Sequence, residues 1–222
     1  MSRRLRAGVL ISGRGSNLQA LIDACAHPEF PAEIACVISN VAGVEGLRRA
    51  ERAGIPSHIL AHGGSARREM FDAAADEILE RANVGSICLA GFMRILSDPF
   101  VEEWKGRLIN IHPSLLPAFK GLDVHRRVLE SGVRISGCTV HYVVPELDSG
   151  PIIAQAAVPV LPQDTEQTLA ARTLAAEHRL YPLALKLVAE GRVRLEGGRA
   201  VSDGVEARPD ELFCPAPDSS CQ

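Results

Sequence analysis

The first half of the chain alternates between two hydrophobic rhythms. Short continuous apolar runs, "RAGVLIS", "EIACVIS", "SHIL" and "GSICLAG", are separated by "NLQALIDACA", "GVEGLRRAERAG" and "RREMFDAAADEILERA", where apolar positions recur every three to four residues. The runs predict strands buried on both faces, and the segments between them predict helices with one apolar stripe. Such a β-α-β-α-β-α-β series implies a parallel sheet covered on both sides and joined by right-handed crossovers. After a further strand, "RLINIH", the texture changes. Residues 133–160 predict two longer strands, "VRISGCTVHYVV" and "PIIAQAAVPV", joined by the loop "PELDSG", and a long helix follows over about Thr165 to Glu190. "RVRLEGGRAVS" has the pattern of a hairpin turned at Gly197 and Gly198, and the proline-bearing last residues predict a loose tail. The fold class expected is α/β, a mostly parallel twisted sheet with helices on both faces and antiparallel strands towards the C-terminal half.

Composition narrows the class. With 222 residues and 46% apolar content the chain can bury a full core in one domain with a small appendage. Its 24 basic and 27 acidic residues, net −3, are spread without a long basic run, so nucleic-acid coating is not expected. Cysteines at 25, 36, 88, 138, 214 and 221 form no C-x-x-C pair, and Cys36 and Cys88 fall inside apolar strands, which predicts reduced, structural thiols. The five apolar residues after the N-terminal arginines are too few for a secretory signal, and no apolar run approaches the ~20 residues of a membrane span. A cytoplasmic protein is expected.

Three stretches carry candidate chemistry. In "INIHPSLLP" a buried strand ends in Asn110 and His112, whose i, i+2 spacing points both side chains to one side. The chain then turns sharply at Pro117, where a cis Leu116–Pro117 bond is expected. In "PELDSGPII" Asp148 has two readings, a turn cap or a carboxylate beside His112. A carboxylate next to an imidazole orients the ring and favours its protonated form, giving an acid and base that work near neutrality, with Asn110 as a neutral donor to a developing oxyanion. "SGRGSNLQALI" joins a strand end, a glycine-rich turn and a helix start. Gly13 and Gly15 would let the backbone approach a phosphate, although a tight turn capped by Ser16 or Asn17 fits as well. It matches neither G-x-G-x-x-G nor a Walker loop. His125 and His141 read as structural or supporting residues, and "LRRAERAG" reads as a solvated helix face stopped by Gly54. No H-E-x-x-H or zinc-type cysteine pair occurs, so no metal is implied.

"LISGRGSNLQAL", "LAGFMRIL", "LINIHPSLLPAFKG", "GCTVHYV" and "ELDSGPII", in that order, resemble the folate-dependent phosphoribosylglycinamide formyltransferases of purine synthesis over roughly residues 5 to 200. The resemblance implies one domain over residues 1–200 with a Rossmann-like nucleotide-binding half (about 1–105), a folate-binding and catalytic half (about 106–200), and a tail over 201–222. It implies a catalytic set of Asn110, His112 and Asp148, and a substrate phosphate on Gly15, Ser16, Asn17, Leu18 and Gln19, with Glu177 at the ribose and amine end. The folate would lie against Arg68, Met93, Arg94, Ile95, Leu96, Asn110 and the stretch Val144, Pro145, Glu146, Leu147 and Asp148. A flat pterin suits an apolar slot with exposed backbone, while Arg68 and Arg94 suit an anionic tail. The co-substrate implied is 10-formyltetrahydrofolate, with glycinamide ribonucleotide as acceptor, no metal, no nucleic acid or membrane partner, and a monomer or weak homodimer. Methionyl-tRNA formyltransferase and formyltetrahydrofolate deformylase share a similar Asn–His–Asp set. The first carries a further C-terminal domain and the second an N-terminal regulatory one, and neither is expected here. A nucleotide-binding module without catalysis would need no such set.

Overall fold

A computed structural model describes residues 4–60, 68–204 and 214. In chain order the elements are β1 (Leu5–Ile11), α1 (Ser16–Cys25), β2 (Ala32–Ser39), α2 (Glu45–Arg52), β3 (Ser57–Ile59), α3 (Arg68–Arg81) and β4 (Ser86–Leu89). There follow α4 (Asp98–Glu103), β5 (Leu108–His112), α5 (Val124–Ser131), β6 (Ile135–Tyr142), β7 (Ile152–Pro159), α6 (Glu166–Ala189), β8 (Val193–Glu196) and β9 (Arg199–Ser202).

The alternating rhythm becomes one seven-stranded sheet in the order β3-β2-β1-β4-β5-β6-β7. Strands β1 to β5 pair in parallel, while β5–β6 and β6–β7 are antiparallel. Burial follows position in the sheet. Seven of the eight residues of β6 are buried, whereas β7 at the edge alternates between covered and wet. On one face Leu18 and Leu21 of α1 and Tyr181, Ala184 and Leu185 of α6 pack against Val9, Val37 and Ile109. On the other, Phe71, Ala75 and Leu79 of α3 and Phe100 of α4 close over Leu10, Ile38 and Ile87 together with Trp104. Helices on both faces are what buried parallel strands require.

Local chemistry sets the helix ends. The Ser97 hydroxyl accepts from Phe100 N at 3.4 Å to open α4. Thr165 and Thr168 form a reciprocal capping box at the start of α6, and Arg172 grips Asp164 just ahead of it at 2.7 and 2.8 Å. Strands β8 and β9 form the expected hairpin as a separate two-stranded sheet. The expected loose tail lies outside the described residues except for residues 201–204 and Cys214. The Leu116–Pro117 bond is cis, as expected.

Topology decides where a ligand can sit. From β1 the chain first winds outward through β2 and β3, then returns to lay β4 on the other side of β1. The loops leaving the carboxyl ends of β1 and β4 therefore diverge, and a crevice opens between them.

Candidate active site

That crevice has a volume of about 300 Å³ and is lined by Ser12 to Asn17, Ala90, Gly91 and Met93. A larger hollow of about 500 Å³ runs along α2 and β3 but borders none of the candidate catalytic residues. Ser12 ties the crevice walls together, its hydroxyl donating to Asn40 Oδ1 at 2.6 Å and accepting from Met93 N at 2.8 Å.

The glycine turn differs from a plain capped turn. Neither Ser16 nor Asn17 caps α1: the N-cap is Gly15 at φ 67, with no side-chain cap and no acidic residue in the first turn. Gln19 N already donates to Gly15 O at 2.9 Å, so the donors left over by helix geometry are those of residues 16–18. A Cβ on Gly15 would lie 2.6 Å from Gly46 Cα. Glycine is thus demanded here by the left-handed backbone and by the packing of α2, and not only by the approach of an anion. The Leu18 side chain is fully buried in the core, so only its backbone faces the turn. Asn17 is 8% exposed; its Nδ2 donates to Glu177 Oε2 at 2.7 Å, while its Oδ1 is buried with no hydrogen-bond partner. Burial pushes the Glu177 carboxyl above its ordinary value, partly opposed by the Asn17 bond.

The catalytic candidates meet at the end of β5. His112 Nδ1 stands 3.3 Å from Asp148 Oδ2, with both side chains under a tenth exposed, and His112 Nε2 donates to Phe119 O at 3.0 Å. Both ring nitrogens thus lie near oxygens, one of them a carboxylate. Asn110 hydrogen-bonds elsewhere than to His112. It faces His141 across the β5–β6 pair, with Nδ2 3.2 Å from His141 Nε2. His141 Nδ1 lies 2.8 Å from the Tyr142 carbonyl and must carry the proton there, leaving Nε2 to accept from Asn110. Burial holds His141 below its ordinary value, so it stays neutral in this role. Asp148 Oδ1 lies 3.8 Å from the same Nε2. Asn110 and His141 therefore form one hydrogen-bonded pair lying against the Asp148–His112 pair, and His141 is the supporting member whose contacts the sequence left open. A register shift in the β6–β7 ladder falls between Val140 and His141, a device that re-aims a side chain.

Backbone geometry marks the same spot. Asp148 and Phe119 hold left-handed conformations, φ 47 and 55, at a cost of order 1 kcal/mol or more each for residues with a Cβ. They are held by a clasp between loops. Gly121 N donates to Asp148 Oδ2 at 2.9 Å, Lys120 Nζ to Ser149 Oγ at 2.5 Å, and Arg127 Nη1 to Lys120 O at 2.5 Å. Thr139 and Gln155 anchor the turn after β5 through Ser114 O and the Leu116 backbone. Beneath, the Tyr181 hydroxyl bridges the carbonyls of Leu89 and Ile109 at 3.0 and 3.2 Å.

The other candidates surround this group unevenly. Met93, Ile95 and Leu147 are 73, 62 and 58% exposed, Met93 lining the cleft itself, and Leu122 adds a further 78% exposed side chain. Leu96 departs from the expected slot, since at 6% exposed its side chain belongs to the core. Val144 is half-buried, and Pro145 and Glu146 are exposed, with Glu146 3.7 Å from Lys120. The Arg94 guanidinium lies 4.7 Å over the Phe71 ring, and Phe71 stacks on Phe92. Arg68 opens α3, one turn before Phe71 and before Asp72, whose carboxylate accepts from Ser97 N. The start of α3 is thereby pinned to the 92–97 loop. No group of three His, Cys, Asp or Glu residues able to hold a metal occurs among the described residues.

A sheet with a switch-point cleft, and buried His112 and Asp148 beside half-buried Asn110 at the adjacent strand end, has the layout of an α/β enzyme. Residues 5–185 match the formyl transferase family model, and the chain belongs to that family. It is 45% identical over 201 residues to the phosphoribosylglycinamide formyltransferase of Escherichia coli, covering 90% of this chain and 95% of that one. It is 55% identical to the trifunctional purine biosynthetic protein adenosine-3 of Gallus gallus over 89% of this chain, but spans only 20% of that protein's length. The crystal structure of glycinamide ribonucleotide transformylase 1 from Symbiobacterium toebii superposes with a TM-score of 0.85 at 49% identity, covering 91% of this chain and 95% of that one.

Proposed function

We propose that this chain transfers the formyl group of 10-formyltetrahydrofolate to the amine of glycinamide ribonucleotide, giving the N-formyl product and tetrahydrofolate in purine biosynthesis. The observation that carries the reading is the Asn110–His141–Asp148–His112 group at the end of β5, beside a cleft walled by an uncapped helix start. The phosphate is assigned to the turn at Gly15 and the N–H groups of Ser16, Asn17 and Leu18, with Glu177 towards the ribose and amine. The folate is assigned to the exposed Met93, Ile95 and Leu147, the 144–148 backbone, and Arg68 and Arg94 for its anionic tail. Residues 1–105 then hold mainly the ribonucleotide and 106–200 mainly the folate, with the 93–96 loop crossing between them.

In the reaction the amine nitrogen attacks the formyl carbon and the carbonyl oxygen becomes an oxyanion. Asn110 Nδ2 gives one hydrogen to His141 and the other to that oxygen. The attacking nitrogen sheds a proton to Asp148 through water, the C–N10 bond breaks, and N10 takes a proton from His112. Asp148 returns its proton to His112 across their 3.3 Å contact, which restores the starting state. Orienting both substrates in one cleft contributes roughly 7–11 kcal/mol. The protein acts on small molecules in the cytoplasm, as a monomer or weak homodimer. The test is purified protein with both substrates, following the absorbance of released folate. Turnover should require the amine and yield one folate per formylated product. Folate release without an amine, or transfer only to methionyl-tRNA, would replace this reading.

A further inference from the structure

A polar row crosses the sheet on the side of the catalytic groups. His112 of β5 stands opposite Thr139 of β6, and Thr139 stands opposite Gln155 of β7, so the three share one face with the neighbouring Asn110–His141 pair. The reaction above uses the first of the three and gives no part to the last. Gln155 lies on the edge strand and is exposed, yet its amide reaches inward: Nε2 donates to Thr139 Oγ1 and to Leu116 O, both at 3.0 Å. Thr139 is fully buried, and its hydroxyl donates to Ser114 O at 2.6 Å and accepts from Leu116 N at 3.0 Å. A carbonyl can only accept and the Thr139 proton is already committed, so both contacts of Gln155 demand a donor, which an amide nitrogen is and a carboxylate is not. Further along the turn the Ser114 hydroxyl donates to Ala118 O at 2.6 Å. The next residue, Phe119, presents its carbonyl to His112 Nε2 at 3.0 Å from a left-handed backbone. The chain from 113 to 119 therefore runs from the backbone of His112 back to its ring, and Thr139 and Gln155 hold the middle of that loop.

We propose that Gln155 is a positioning residue: through Thr139 and the Leu116 carbonyl it fixes the turn that aims the Phe119 carbonyl, and with it the ring of His112. This rests on the functional reading above. Gln155→Glu keeps the shape without the donors, and Gln155→Met keeps the length without polarity. Each should lower kcat by about 10- to 30-fold, the scale of two neutral hydrogen bonds, with KM for both substrates within about threefold of wild type. Because the side chain is exposed, thermal melts should stay close to wild type. Thr139→Val should be impaired by itself, and adding Gln155→Met should cost less than about threefold more, since both act on one turn. In NMR of ¹⁵N-histidine-labelled protein, the His112 ring signals, assigned by their absence in His112→Gln, should shift in Gln155→Met, while those of His58 on the opposite edge strand stay in place. If both variants fail to fold, Gln155→Asn, one methylene shorter, carries the same test. Wild-type kcat in a folded variant, losses that multiply in the double variant, or unmoved His112 signals overturn the proposal. Should wild type fail to formylate glycinamide ribonucleotide, the functional reading fails, and the histidine spectrum decides Gln155 separately.

Discussion

Replacing Asp148 by asparagine removes one charge and almost nothing else. The amide side chain would still fill the space and could still accept from Gly121 N, so the clasp between the two loops and the fold should survive. What disappears is the carboxylate 3.3 Å from His112 Nδ1. At that separation two unit charges attract by about 5 kcal/mol at an effective dielectric of about 20, and both side chains are under a tenth exposed, so screening by solvent is weak. Part of this stabilises the ground state as well as the transition state, and only the difference reaches the rate. A loss of about two to four powers of ten in kcat is expected, with each substrate's KM within about fivefold of wild type. Steady-state kinetics in each substrate, with a thermal melt to check folding, measures this. A variant within about tenfold of wild-type kcat would mean that Asp148 is a turn residue. Loss of both substrates' binding with an unchanged kcat would equally refute the proton-transfer role.

Two other outcomes follow from the buried groups. Burial raises the Glu177 carboxyl above its unfolded value, so its favourable contribution is present at acidic pH, below the unfolded value, and is lost as pH rises through the folded one. Glu177→Gln should therefore be at least as stable as wild type at neutral pH in chemical denaturation, with the difference vanishing in acid, while KM for the ribonucleotide rises about tenfold; lower stability at neutral pH and an unchanged KM would contradict both roles. Burial also pushes Cys25 and Cys36 up to about 11, Cys138 to about 12 and Cys88 further still, so none of the four should react with a thiol reagent at about pH 8 until the protein is unfolded. Rapid native labelling at any of them, read by mass spectrometry, would show the core to be looser than described.

The alternation of continuous and amphipathic apolar runs made the parallel sheet and its two helical layers legible, because buried strands and half-buried helices must differ in period. Asn110 and His112 could be picked out for a related reason: polar groups ending an apolar strand need somewhere to go. Their partners were harder to read. That His141 faces Asn110 depends on the β5–β6 register, and register is not written in either strand alone. Asp148 reaches His112 only because a loop takes a left-handed turn that a sequence does not announce at an aspartate. Leu18 and Leu96 are adjacent in sequence to groups facing the cleft while their own side chains turn into the core, so only their backbones are left for the roles expected of them.

The central claim is that one formyl carbon passes directly from N10 of the folate to the substrate amine at the Asn110–His112–Asp148 group, and following that carbon tests it most directly. With 10-formyltetrahydrofolate labelled with ¹³C at the formyl group, glycinamide ribonucleotide and the purified protein, carbon NMR should show the folate signal replaced one for one by the formamide signal of the product. Asn110→Ala should slow this by about a hundredfold or more without opening another route. Label collecting as free formate, or on the protein, would contradict direct transfer.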